Sequence, residues 1–189
     1  GKALLARSAK EILLVEDTPM TGKALKSLLE KDGHNVTWFT GVKSFHPFTG
    51  ITPEGKNVVF DPRKFRAALV DGELNDAKNK PLYLQGVHIV DALSKERLPV
   101  IGISTVPGEN ALLRANGALV SAEKPTAMAA IAGHRMDLLH GFGNRTGFQA
   151  SMDSLSGQLK KVYEKGAVVP PQVKHMHDQA SKALIEALE

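Results

Sequence analysis

A doubly wound α/β fold with a five-stranded parallel sheet is the class this sequence predicts, on three observations. Short apolar runs alternate with helical patterns from residue 11 to about residue 140, the order that builds strand–helix–strand units. Three of the runs end in acids or hydroxyls. Glu11-Ile12-Leu13-Leu14-Val15 leads into Glu16-Asp17, Arg66-Ala67-Ala68-Leu69-Val70 into Asp71, and Val100-Ile101-Gly102-Ile103 into Ser104-Thr105. The helical segments between them open at Pro19 and close at Gly33 and Gly117, where the fixed φ of proline and the conformational freedom of glycine suit helix ends.

Residues 1–10 read as a polar lead-in. After the first strand, 11–15, Thr18 is the expected N-cap of a helix with Pro19 in its first turn. Met20, Leu25, Leu28 and Leu29 fall on one face of that helix, and Gly33 stops it. Residues 36–39 form the second strand. The stretch 41–64 has Pro and Gly too closely spaced for the usual crossover helix, and Val58-Val59-Phe60 after Pro53-Glu54-Gly55 reads as a hairpin arm. The third strand ends at Asp71, and a polar loop within 72–85 leads to a helix marked by Val87, Val90 and Leu93 that stops near Pro99. A fourth strand at 100–104 precedes a short helix at 109–116. The fifth strand, 118–122, delivers Glu123-Lys124-Pro125, and Thr126 is the expected cap of a helix running to about His140.

Composition narrows the function. The 189 residues carry a net charge of +4 with scattered basic side chains, which does not favour nucleic acid as a partner. There is no cysteine, so thiol ligands and disulfides are excluded, in keeping with a reducing compartment. No apolar run approaches the ~20 residues of a spanning helix, and no signal-peptide pattern is recognised, so a cytoplasmic location without membrane contact is expected. His46, His88, His134, His140, His175 and His177 lack a zinc-ligand spacing.

Open α/β sheets keep their chemistry at the carboxyl ends of their strands, and here those ends carry Glu16, Asp17, Asp71, Ser104 and Lys124. This set, in this order on consecutive strands, resembles the receiver domain of bacterial two-component response regulators over about 130 residues. The resemblance implies a flavodoxin-like fold of strand order 2-1-3-4-5, with a phosphoryl group accepted on Asp71 from a sensor histidine kinase or phosphotransfer protein and with Mg²⁺ required. It implies Asp17 and Asp71 as direct metal ligands, Glu16 through water, and the backbone carbonyl of Glu73. Lys124 would pair with a phosphoryl oxygen, and the Ser104 hydroxyl would bond to another. The chemistry asks for these residue types, because a carboxylate approaching an anionic phosphoryl group needs a divalent cation, and Mg²⁺ takes hard oxygen ligands.

Two positions depart from the family pattern. An aromatic residue usual three places before the lysine is Ser121 here, so a phosphorylation signal is expected to leave through the loops and the helix between strands four and five. Thr105 is larger than the residue usual after the hydroxyl.

Residues 141–189 form a helical extension. A break at 141–144 is followed by helices at 151–165 and 172–189. Six Lys/Arg against five Asp/Glu make it too short and too neutral for a DNA-binding output domain. Its apolar positions, among them Met152, Leu155, Leu159, Ala180 and Ala183, suggest a protein-protein surface, with dimerisation or docking on a parent kinase as the expected use. The expected function is therefore a phosphoacceptor switch and not an enzyme beyond self-phosphotransfer and autodephosphorylation. The alternative is a degenerate receiver working as a phosphorylation-independent scaffold. An aspartyl phosphohydrolase of the haloacid dehalogenase type fits less well, since it needs Asp-x-Asp on the first strand.

Overall fold

In the computed structural model, which describes residues 11–136 and 144–189, Ile12, Leu13, Leu14 and Val15 have no solvent exposure. A strand buried on both faces must be apolar throughout, and its alternating side chains feed two separate cores. Strand β1, Glu11–Val15, is central in this sense. Ile12 and Leu14 face one core and Leu13 and Val15 the other. β1 pairs in parallel with β2, Asn35–Phe39, on one side and with β6, Ala67–Asp71, on the other. β7, Val100–Ile103, and β8, Val120–Ala122, complete a sheet of order β2-β1-β6-β7-β8. Numbered within that sheet the order is 2-1-3-4-5, the flavodoxin-like arrangement.

Helix α1, Pro19–Lys31, buries Leu25, Leu28 and Leu29 as its periodicity requires. Gly33, at φ 93°, ends it. Thr18 occupies the N-cap, its carbonyl accepting from the Gly22 N–H at 2.8 Å, but it makes no side-chain capping bond, and Pro19 sits in the first turn. Helices α2, Gly86–Lys95, and α3, Pro107–Ala115, lie where the sequence places them. Helix α4 runs Lys124–Ala132 with Glu123 as its N-cap, and Thr126 is buried inside it. The expectation that Thr126 caps this helix fails because Pro125 already sits in the first turn, where its φ is preorganised. The helix ends at Ala132, capped by Gly133, and so stops short of the expected His140 because His134 takes a positive φ of 55°; residues 137–140 lie outside those described, as do the lead-in at 1–10 and part of the break at 141–144.

The connection from β2 to β6 is not a helix. Gly41–Phe45 (β3), Phe48–Ile51 (β4) and Asn57–Val59 (β5) form a small antiparallel sheet of order β3-β4-β5, followed by one 3-10 turn at Pro62–Lys64. Aromatic rings attach it to the main sheet. Phe60 lies 5.1 Å from Phe39, 5.6 Å from Phe48 and 6.2 Å from Phe65 between ring centroids. Gly50 lets the Phe39 ring lie against β4, since a Cβ there would come within 2.4 Å of it.

The extension consists of α5, Arg145–Lys160, a 3-10 turn at Lys161–Tyr163, and α6, Pro171–Leu188. α5 starts before residue 151 because the Asn144 side chain caps it by accepting from the Gly147 N–H at 3.0 Å. The apolar positions expected to meet a second copy of the chain are used internally. Met152, Leu155, Leu159, Val173, Met176, Ala180 and Ala183 are all buried in the same core as α1 and α4. The dimer surface proposed on those residues is therefore replaced by intramolecular packing. No helix of the described residues is long and apolar enough to cross a membrane.

Candidate functional site

The parallel sheet brings the ends of β1, β6, β7 and β8 to one edge. β1 leads into Glu16, which is fully buried, and then Asp17; β6 ends at Asp71, 2% exposed. One oxygen from each of these three acids lies within 4.8 Å of the others. Lys124, at the start of α4, places its Nζ 2.9 Å from Glu16 Oε1 and 2.9 Å from Asp71 Oδ2. Ser104 follows β7, whose Ile103 pairs with Asp71, and is buried, its Oγ accepting from the Val106 N–H at 3.1 Å. Glu16, Asp17, Asp71 and Lys124 are thus brought together, and Ser104 lies on the adjacent strand end with its hydroxyl engaged locally.

The charges are unequal in their settling. Burial, then the hydrogen bond and charge of Asp71, push the Glu16 carboxyl up to about 9 against the pull of Lys124. Glu16 therefore favours its protonated form at neutral pH, and the ammonium of Lys124 lies between the two carboxyl groups. Burial opposes the charge on Lys124, but the carboxylates of Glu16 and Asp71 outweigh it and raise its pKa. Asp17 is raised by burial, partly offset by a backbone N–H.

That N–H belongs to Asn75 and reaches Asp17 Oδ2 at 2.9 Å. It comes from the 72–85 loop, which is closed on itself. The Gln85 carboxamide accepts from the Leu74 N–H at 3.0 Å and donates to the Leu74 carbonyl at 2.8 Å and the Leu82 carbonyl at 2.7 Å. Glu73 gives its backbone N–H to Asp71 Oδ1 at 3.2 Å. The Glu109 side chain, from the first turn of α3, lies over Gly72, where a Cβ would meet its Oε1 at 2.5 Å. Burial and the neighbouring Glu73 carboxylate bring Glu109 up to about 7.

Sequence reasoning named neither Glu109 nor Asn75, and it missed two further supports. The indole N–H of Trp38 donates to the Glu16 carbonyl at 2.8 Å. Gly86 is needed under the site, because a Cβ there would come within 2.2 Å of the Asp71 carbonyl oxygen. A glycine after a long polar loop and just ahead of an apolar helical pattern was the available signal for the second. Trp38 gave none.

Three clustered carboxyl groups beside a single lysine are an oxygen-only donor set, which is the chemistry Mg²⁺ accepts. The residues present fit such an ion.

No protein-family model matches the sequence. No curated protein matches it. The chain is similar to solved receiver domains. These include a response regulator receiver domain from Clostridium thermocellum (17% identity, 77% of this chain and 98% of that chain covered, TM-score 0.46) and the signal receiver domain of a signal transduction histidine kinase from Syntrophus aciditrophicus (20%, 70% and 91%, 0.47). A third is a response regulator from Burkholderia pseudomallei with a phosphorylated aspartic acid, calcium ion and citrate (14%, 93% and 92%, 0.49).

Proposed function

We propose that the chain is a receiver domain of two-component signalling that takes a phosphoryl group onto Asp71 from the phosphohistidine of a sensor kinase or phosphotransfer protein. It signals from the cytoplasm through protein contacts and does not act as a turnover enzyme. The observation that carries this reading is the placement of Asp71 between Lys124, at 2.9 Å, and the acids Glu16 and Asp17.

Asp17, Asp71 and the Glu73 carbonyl, with Glu16 acting through water, would hold Mg²⁺, which would supply the positive charge that an anionic carboxylate needs to approach an anionic phosphoryl group. A carboxylate oxygen of Asp71 attacks phosphorus, the P–N bond to the imidazole breaks, and the neutral imidazole leaves after taking up a proton. Lys124, which pairs with Asp71 Oδ2 beforehand, moves its ammonium to a phosphoryl oxygen. The Ser104 hydroxyl turns to donate to a second oxygen while its backbone stays held by Asn110, whose Nδ2 donates to the Ser104 carbonyl at 3.0 Å.

Incubation with acetyl phosphate and Mg²⁺, followed by intact-mass measurement, tests the assignment. One phosphoryl mass is expected on the parent chain and none on Asp71→Asn. The scaffold reading is favoured by one feature, the Asn75 N–H already seated on Asp17, and a parent chain that never gains the mass would select it.

A further inference from the structure

Helices α5 and α6 pack across α1 and α4 without closing the seam between them. The gap is a cavity of about 380 Å³, within the range of small-molecule sites. Its walls are apolar and adaptable, with Met20 from α1, Met128 from α4, Leu159 from α5 and Leu184 from α6. Thioether side chains reshape around a guest at little cost. Hydroxyls of Thr21, Ser156 and Ser181 and the Glu123 carboxylate border it as well. Lys160 is two-thirds exposed and only loosely held, with its Nζ 3.6 Å from Glu123. His177 faces the same space, its Nε2 hydrogen-bonded to the Tyr163 hydroxyl at 2.5 Å. Lys124 also borders the cavity, but Glu16 and Asp71 occupy its ammonium.

We propose that this cavity is a binding site for an amphipathic monoanion of the medium-chain carboxylate class. The alkyl chain lies among Met20, Met128, Leu159 and Leu184, and the carboxylate meets Lys160 at the rim. Charge decides the head group. The cation free to exchange its weak partner is a lysine, and an exposed ion pair at 3.6 Å contributes too little to keep Glu123 in place against an incoming carboxylate. Apolar burial decides the tail. The site is formed jointly by the first part of the chain and its helical extension, so an occupant would tie the extension to α1 and α4. This inference goes beyond the phosphoacceptor reading and stands without it, since no phosphoryl group takes part.

The test is a titration of the full chain with decanoate below its micelle concentration, followed through ¹³C-methyl methionine NMR. Met20 and Met128 line the cavity, whereas Met136, Met152 and Met176 do not, so the five methionines report location. Saturable shifts at Met20 and Met128 are expected, with Met136 and Met152 unmoved. Octanoate is expected to bind more weakly by about fourfold for each methylene removed. Lys160→Glu, an exposed substitution that leaves the walls intact, is expected to weaken decanoate about tenfold and to leave decanol unchanged. The proposal is overturned if no saturable shift occurs, if decanol binds as tightly as decanoate, or if all five methyls move together as in non-specific adsorption.

Discussion

Mg²⁺ binding should expel a proton from this site. With its pKa raised to about 9, Glu16 is mostly protonated in the metal-free protein at pH 7. A divalent ion among Glu16, Asp17 and Asp71 favours the ionised forms, so binding is written as the exchange of Mg²⁺ for H⁺. For one exchanged proton the apparent affinity rises about tenfold per pH unit up to about pH 9 and levels off above it. Burial shifts Asp17 in the same direction.

The assay is calorimetric titration with Mg²⁺ at pH 6, 7 and 8, in pairs of buffers whose ionisation heats differ, so that the observed heats yield the number of protons released. The expected value is close to one at pH 7. Trp38 gives a second readout, because the one tryptophan of the chain donates to the Glu16 carbonyl and its fluorescence should follow the same curve. Glu16→Gln imitates the protonated acid and should bind more weakly with a flat pH profile. A proton count near zero at pH 7, or an affinity constant from pH 6 to 8, would refute the raised pKa of Glu16.

Without metal, the same group makes the fold less stable as pH rises. The folded pKa of Glu16 lies above its ordinary value of 4.5, so its contribution is complete below about pH 4.5 and is lost as pH rises through about 9, at up to about 1.4 kcal/mol per pH unit; urea midpoints in EDTA that are equal at pH 6 and 8, or higher at 8, would contradict this. Gln149→Ala removes a carboxamide that accepts from the Ser121 N–H and donates to the Ser121 carbonyl, both at 2.8 Å. With Ser121 buried, a loss of about 1–3 kcal/mol is expected from the denaturation midpoint. Deleting residues 144–189 strips Met152, Leu155, Leu159, Val173 and Met176 from the core. At about 2 kcal/mol each this approaches the whole stability of a domain, so the shortened chain should bind a hydrophobic dye and melt without cooperativity, and a cooperative, dye-free fragment would show the extension to be dispensable.

The strand ends were legible because they depend on local pattern. An apolar run of four or five residues ending in an acid can be read without knowing its neighbours, and Glu16, Asp71, Ser104 and Lys124 each sit one or two positions past such a run. What escaped depends on groups far apart in the chain. Asp17 meets Asn75 across 58 positions and Ser121 meets Gln149 across 28, and neither asparagine nor glutamine carries a spacing signal. The 41–64 segment was half legible. Its prolines and glycines excluded a helix and marked one arm, but the irregular register between Val42 and Ser44 breaks the alternation that would have shown β3. In the extension, the apolar spacing was read correctly and its partner was not, because one amphipathic face serves a second copy or the same chain equally well.

Ser121 acquires a different meaning once its neighbours are known. β8 is an edge strand of three residues, and an open edge needs cover. Gln149 supplies it by bonding to Ser121 as the residue of a next strand would, while the Arg114 Nη1 donates to the Ser121 Oγ at 2.6 Å. Arg114 and Asn110 share helix α3, and Asn110 holds the Ser104 carbonyl. A displacement at Ser104 can therefore reach α5 through α3 and Ser121 by hydrogen bonds, with no ring to swing. Each such bond contributes about 1 kcal/mol, so breaking or making one shifts an equilibrium about fivefold.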